Sequence, residues 1–318
     1  MNRRRFVGTL GAGLLGAWAS RANVAWALGS AERYVERWSW VMGQAVHVML
    51  FAPSEDAGLE ACAAALAELR RIDARLSLFD DASDLCELNR RAGRRPMTVD
   101  GDLGQVLRHA LAYRDATAGA FDAAIEPLMR AWGFRDARAA APTPAELAAA
   151  REAVAHAEVR LSGNRALLAT AHTQLDFGGI AVGFGIDRAL AVLRDRGIRR
   201  AFVNVSGDCG AIGAPPGASG WRVDITDPGS PTGVLTTVRL RDAALATSSN
   251  RVSQRRYGPV VVGHVLDPQT GHAASGRLLQ ASVLAERAIA ADALSTAMLV
   301  SGRRPPSPGV IAAYGIPA

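Results

Sequence analysis

The chain has 318 residues, 49% hydrophobic and 21% charged, enough to bury a large core as one elaborate domain or two closely joined halves. The net charge of +6 invites a polyanion partner, but Arg3, Arg4, Arg5 and Arg21 all precede the first acidic residue, Glu32, and beyond residue 27 there are 32 basic against 30 acidic residues. A nucleic-acid-binding surface is therefore not indicated.

The first residues read as an export signal. "NRRRFVG" is a basic opening of twin-arginine type, residues 6–19 are moderately apolar, and Ala25-x-Ala27 is a small-residue cleavage pattern. The apolar stretch falls short of the roughly 20 residues that a membrane-spanning helix needs. The expected product is a periplasmic protein, exported folded by the twin-arginine route, with no stable membrane anchor once residues 1–27 are removed. Cys62, Cys86 and Cys209 are odd in number and widely spaced, giving neither a zinc pattern nor a disulfide framework. There is no lysine, so every non-histidine cation is arginine.

Next, "WSWVMGQAVHVMLFA" alternates as a strand interrupted at Met42-Gly43. Residues 54–75 read as an amphipathic helix capped by Ser54, with Glu55 and Asp56 in its first turn. A turn and short helix follow in "LSLFDDASDLCELNRR", then helices near 102–118 and 122–131, and another opened by Thr143-Pro144 with Glu146. From about residue 158 the texture changes to short strands, "EVRL", "RALLAT", "TQLDF", "RAFVNVSG", "WRVDIT", "LTTVRL", "YGPVVVGHVLD" and "LLQASVLAE", with helices near 183–196 and 288–301. The plan is α+β, with a helix-rich first half and a mixed, largely antiparallel sheet in the second.

Four stretches have chemical potential beyond their structural explanations. "LDFGGIAVGFGID" (175–187) is glycine-rich before a helix, but Arg188 breaks G-x-G-x-x-G and Phe184 stands where a P-loop needs Lys. Backbone N–H groups at that helix start could still bind an anion, or the glycines could simply make a tight turn. In "AADALSTAM" (290–298), Asp292, Ser295 and Thr296 share a helix face and offer hard oxygen ligands suited to Mg2+, while helix capping by Asp292 is the bland alternative. In "GHVLDPQTGH", Asp267 explains itself as a turn residue and His264 does not; a histidine there could act as general base. In "GAFDAAIEPL", Asp122 fits an N-cap, and Phe121 beside it could stack on a planar heterocycle.

In order along the chain, "VMGQ", "LSLFDDASDLCELN", "GAFDAAIEPL", "LDFGGIAVGFGID", "FVNVSGDCG", "ALATSS", "GHVLDPQTG" and "AIAADALSTAMLVSG" resemble the FAD:protein FMN transferase (ApbE-type) family across about residues 38–302. The resemblance implies a single ApbE, T-fold-like α+β domain over residues 28–318. It implies Mg2+-dependent transfer of FMN from FAD to a Ser or Thr hydroxyl of an acceptor flavoprotein, with release of AMP. Such an acceptor would be an envelope electron-transfer subunit. By the same resemblance Gly179, Asp292, Ser295 and Thr296 would hold Mg2+, His264 would activate the acceptor hydroxyl, and Met42, Phe79, Ala120, Phe121, Asp122, Asp176, Val182 and Leu266 would contact FAD. The chain departs from the family pattern at Gln44, Ser206, Ser249 and Val182, the last where a Lys or Glu is usual. An FAD pyrophosphatase and a non-catalytic FAD-binding maturation partner are the competing readings.

Overall fold

Met42 and Gly43 both adopt positive φ, 55° and 69°, and this makes the expected interrupted strand a hairpin of two, β1 (Arg33–Val41) and β2 (Gln44–Ala52). A two-residue loop with both φ values positive matches the right-handed twist of the strands it joins. The structure, a computed structural model, describes residues 32–230, 233–274, 278–305 and 309–317. The expected export signal lies outside the described residues.

Helix α1 (Glu55–Leu76) begins where Ser54 accepts a hydrogen bond from Ala57 N at 3.2 Å, as its Ser-Glu-Asp start predicts. Its buried face runs through Gly58, Ala61, Cys62, Ala65, Leu66, Leu69 and Ile72. Then come α2 (Asp84–Arg90), the short strand β3 (Met97–Thr98), α3 (Gly101–Ala116), a 3-10 turn at Ala123–Ile125, α4 (Glu126–Ala131) and α5 (Pro144–Ala155). Thr143 and Glu146 close the reciprocal capping box that their spacing promised.

After β4 (Val159–Ser162) and β5 (Arg165–Leu168), the expected strand "TQLDF" does not form. The buried side chain of Asn89 takes its place as a partner: Oδ1 accepts from Leu175 N at 2.8 Å and Nδ2 donates to Leu175 O at 2.9 Å. A backbone satisfied by one amide side chain needs no neighbouring strand. Helix α6 (Ala181–Asp195) follows, its Ile186, Ala189, Leu190 and Leu193 buried as the sequence indicates. Strands β6 (Arg200–Val205) and β7 (Asp208–Ile212) form a second hairpin about Ser206-Gly207, again with positive φ at both residues.

The rest of the chain supplies β8 (Trp221–Thr226), β9 (Val234–Leu240), β10 (Ala244–Ser249), β11 (Gln254–Tyr257), β12 (Val260–Gly263), β13 (Leu278–Ala285), α7 (Ala288–Ser301) and β14 (Val310–Pro317). The main sheet has the order β1-β2-β6-β7-β10-β13-β14, with every neighbour pair antiparallel. It is thus an α+β fold, although the first two strands of its sheet come from the helix-rich half. The β8–β9 hairpin covers one sheet face through Trp221, Val223, Ile225 and Leu240 against Phe51, Phe202 and Leu245. Helices α1, α6 and α7 pack on the other.

The α6–α7 crossing is unusually close. A Cβ on Gly183 would lie 2.3 Å from Ala288 O and 2.8 Å from Asp292 Cβ, so only glycine fits. The start of α7 is capped from α6: Asp187 Oδ1 accepts from Ala288 N at 2.8 Å and Oδ2 from Ile289 N at 3.3 Å. Asp292 therefore lies a turn inside α7 and does not cap its own helix; it accepts instead from Gly183 N in the first turn of α6.

Candidate functional site

The loop 176–180 sits between α7 and the 3-10 turn and brings Asp176, Gly179, Phe121 and Thr296 of the expected site residues together. Asp176 N donates to Ala123 O at 2.7 Å, and Asp176 Oδ1 accepts from Gly178 N at 2.7 Å. The chain then turns at Gly179, where an added Cβ would be 3.3 Å from Thr296 Oγ1 and 3.5 Å from the Phe121 ring. Ala181 N is taken by Phe177 O at 2.8 Å, and Gly183 N by Asp292 Oδ2 at 2.9 Å. Two of the first three N–H groups of α6 are thus spent inside the protein, which weakens the anion-binding reading of this helix start.

Asp292 is 5% exposed, Ser295 is buried and Thr296 is half-buried. The Gly183 N–H bond fixes one oxygen of Asp292 and leaves the other for a further partner. Asp208, at the start of β7, accepts from Thr247 N at 3.0 Å through Oδ1. Burial raises its pKa to about 7, against the pull of the Thr247 N–H. Burial raises Asp292 as well, and the Asp208 charge raises it further. Two carboxylates, the charge of one raising the proton affinity of the other, also attract a cation. Among the described residues no three His, Cys, Asp or Glu side chains converge. Thr296 Oγ1 stands beside Gly179 and 3.2 Å from Ser248 Oγ, one helical turn after Asp292, and hydroxyl and carboxylate oxygens are hard donors that suit Mg2+ better than zinc. Ser295 Oγ turns inward: it donates to Asp292 O at 2.9 Å and meets Ser248 Oγ at 2.8 Å.

On the far side of the loop, Asp176 Oδ2 pairs with Arg135, whose Nε donates to Glu126 Oε2 at 2.7 Å. Burial opposes the Arg135 charge, but the Asp176 and Glu126 carboxylates outweigh it and hold its pKa above the ordinary value. The Arg135 guanidinium carbon lies 5.4 Å from the Phe79 ring centroid, and that ring is 67% exposed. Phe79 is thus the aromatic face presented outward. Phe121 is buried, its ring edge-on to Tyr113 at 6.5 Å, so a heterocycle stacked face to face on it is not what the packing offers.

Asp122 is the N-cap its sequence suggested, accepting from Ala124 N at 2.8 Å, and it also pairs with Arg114 Nε at 3.0 Å. Burial raises its pKa against both partners. Ala120 is half-buried beside it. Met42 donates its N–H to Asp73 Oδ2 at 3.1 Å, and its sulfur faces Gly185 of α6. Leu266 is buried with Leu128 and Trp132. Val182 is buried in the apolar cluster of β2, α1 and α6, with no polar role.

His264 follows β12 and feels the Asp176 charge. Its Nδ1 is buried with no hydrogen-bond partner. Burial lowers its pKa, opposed by the Ser253 backbone and by Asp176, so the ring is neutral and able to accept a proton at pH 7. Asp267 caps its turn through Gln269 N at 2.8 Å, as the Asp-Pro signal indicates.

Three residues here were not singled out from the sequence: Asp208, Arg135 and Ser248. Asp208 sits in a Gly-Asp turn that looks ordinary until β10 is laid beside it. Arg135 is one arginine among many, and only the fold sets it between two carboxylates.

A family model described as the ApbE family matches residues 42–306. The chain is 32% identical over 246 residues to the FAD:protein FMN transferase of Treponema pallidum, covering 71% of this chain and 67% of that protein. It is 27% identical over 237 residues to the protein of the same name from Vibrio cholerae, covering 74% and 71%. Among solved structures, the ApbE protein of Thermotoga maritima superposes with a TM-score of 0.77 at 28% identity over 85% of this chain and 87% of that one. The flavin transferase ApbE of Vibrio cholerae gives 0.74 at 26% identity over the same shares.

Proposed function

The chain belongs to the ApbE family, and from that premise we propose that it transfers FMN from FAD to a Ser or Thr hydroxyl of an acceptor flavoprotein and releases AMP. The observation that supports this reading best is the 176–180 loop, which sets Gly179 beside the Thr296 hydroxyl and carries a carboxylate, Asp176, whose charge is felt by His264. Phosphoryl transfer asks for a cation, a placed phosphate and a base near the attacking hydroxyl.

In this reading Asp292, Thr296 and the Gly179 carbonyl hold Mg2+. When bound, Mg2+ supplies charge neutralisation on the pyrophosphate. Phe79 offers its exposed face to the flavin, and Asp176, locked by Gly178 N and Arg135, presents a fixed carboxylate beside it. His264 takes the proton of the acceptor hydroxyl as the oxygen attacks the FMN phosphorus and the bond to AMP breaks. The twin-arginine-type opening of the sequence supports a periplasmic location and an envelope electron-transfer subunit as the acceptor.

The test is to incubate the full chain with FAD, Mg2+ and a candidate acceptor, reading acceptor mass and free AMP. An FMN-sized adduct with matching AMP is expected, and Asp292→Ala should abolish both while the protein stays folded. AMP and FMN without an adduct would make it a pyrophosphatase; intact bound FAD alone would make it a binding protein.

A further inference from the structure

The hydroxyl groups packed against Thr296 form a short chain whose proton directions follow from counting. Ser295 Oγ donates its single proton to Asp292 O at 2.9 Å. In the contact between Ser248 Oγ and Ser295 Oγ, at 2.8 Å, Ser248 must then be the donor. That uses the only proton of Ser248, so in the 3.2 Å contact between Ser248 Oγ and Thr296 Oγ1 the proton comes from Thr296. Thr296 thus points its O–H inward, toward β10, and leaves its lone pairs for the side on which Gly179 stands. A hydroxyl can ligate a cation only through a lone pair; turned the other way, it would set the positive end of its dipole against the ion.

We infer that Ser248 is a positioning residue for the cation: by accepting the Thr296 proton it holds the Thr296 oxygen in its ligating orientation without touching the metal itself. Outer hydrogen bonds of this kind typically account for about 10–100-fold in metal affinity. The inference rests on the Mg2+ reading of Asp292 and Thr296, and the controls separate the two. Ser248 is placed for this role by β10, which turns Ala246 and Ser248 toward α7, while Thr247 bonds to Ser282 of β13.

The experiment measures Mn2+ binding to the full chain, without FAD, from the free-ion spin-resonance signal, with thermal unfolding recorded for every variant. Ser248→Ala should weaken Mn2+ by about tenfold, the lower end of that range. Ser248→Cys, which fills the same space with a poor acceptor, should do the same, and Ser248→Thr should restore binding. In a Thr296→Val background Ser248→Ala should cause no further loss, because its effect passes through the Thr296 hydroxyl. Wild-type Mn2+ affinity in Ser248→Ala and Ser248→Cys would overturn the inference, as would an equal loss with Val at position 296. If Asp292→Ala abolishes Mn2+ binding while the Ser248 variants bind normally, only this inference fails. If Asp292→Ala also binds normally, the metal reading fails and takes this inference with it.

Discussion

Gly183→Ala puts the coupling between the α6–α7 crossing and the cation site under direct strain. The new methyl would meet Ala288 O at 2.3 Å, Ala288 C at 2.7 Å and Asp292 Cβ at 2.8 Å, against an ordinary contact of 3.4–4 Å. Two of these three atoms are backbone, so no side chain can rotate away and the helices must part by about an ångström. Overpacking of this kind costs about 2 kcal/mol. Separation also stretches the 2.9 Å bond from Gly183 N to the Asp292 carboxylate, worth about 2 kcal/mol for a charged acceptor. The better helix propensity of alanine returns about 1 kcal/mol. The net loss is about 3 kcal/mol, which at an m-value of about 3 kcal/mol per molar lowers the urea midpoint by about 1 M. Because the displaced residue is Asp292, Mn2+ affinity should fall along with stability. An unchanged midpoint would show that the crossing is looser than the contacts imply. A lowered midpoint with wild-type Mn2+ affinity would show that Asp292 is not held through Gly183.

Three further outcomes are expected. The raised pKa values of Asp208 and Asp292 mean that the folded, metal-free protein binds more protons than the unfolded chain between the ordinary carboxylate value and about pH 7, so its stability falls as pH rises through that window. On the proposed Mg2+ reading, a bound ion would relieve the repulsion, and the rise in melting temperature on adding Mg2+ should be larger at pH 8 than at pH 5.5; equal rises would exclude the pair from the proposed cation site. Replacing Arg135 with Gln leaves the buried Glu126 and Asp176 without their shared cation and should cost about 3–5 kcal/mol at pH 8, less at pH 5, where Glu126, its pKa raised by burial, takes up a proton, as followed by urea unfolding. His264→Gln should lower turnover by about 10²–10⁴-fold with FAD binding intact, and wild-type turnover would remove His264 as the base.

Local signals were legible where one residue's chemistry sufficed. Ser54, the Thr143–Glu146 box, the Asp122 cap and the Asp267 turn all do what their types and spacing suggest. The helix at 288–301 was readable to its end residues, because Gly302 at φ 66° stops it. Misreadings came from partners distant in sequence. "TQLDF" has the apolar content of a strand, but Leu175 at its centre is satisfied by Asn89, some 86 residues earlier, and Asp176 N by Ala123 O. Met42-Gly43 reads as a pause, and only pairing of Trp40 with Ala45 reveals a hairpin. Asp292 could have been a cap until Asp187, from another helix, was found in that place.

The sequence by itself determined which segments are helical, where their caps lie, and that a carboxylate and two hydroxyls share one turn of α7, because each follows from side-chain chemistry within a few residues. The order of the quoted blocks was enough to indicate the family. Only the tertiary structure decided what each hydroxyl does. Ser295 and Thr296 are neighbours of similar chemistry and both meet Ser248 of β10, yet Ser295 gives its proton to Asp292 O, while Thr296 gives its proton to Ser248 and stands beside Gly179. Hydrogen bonds have direction and each hydroxyl has one proton, so its role depends on what packs around it.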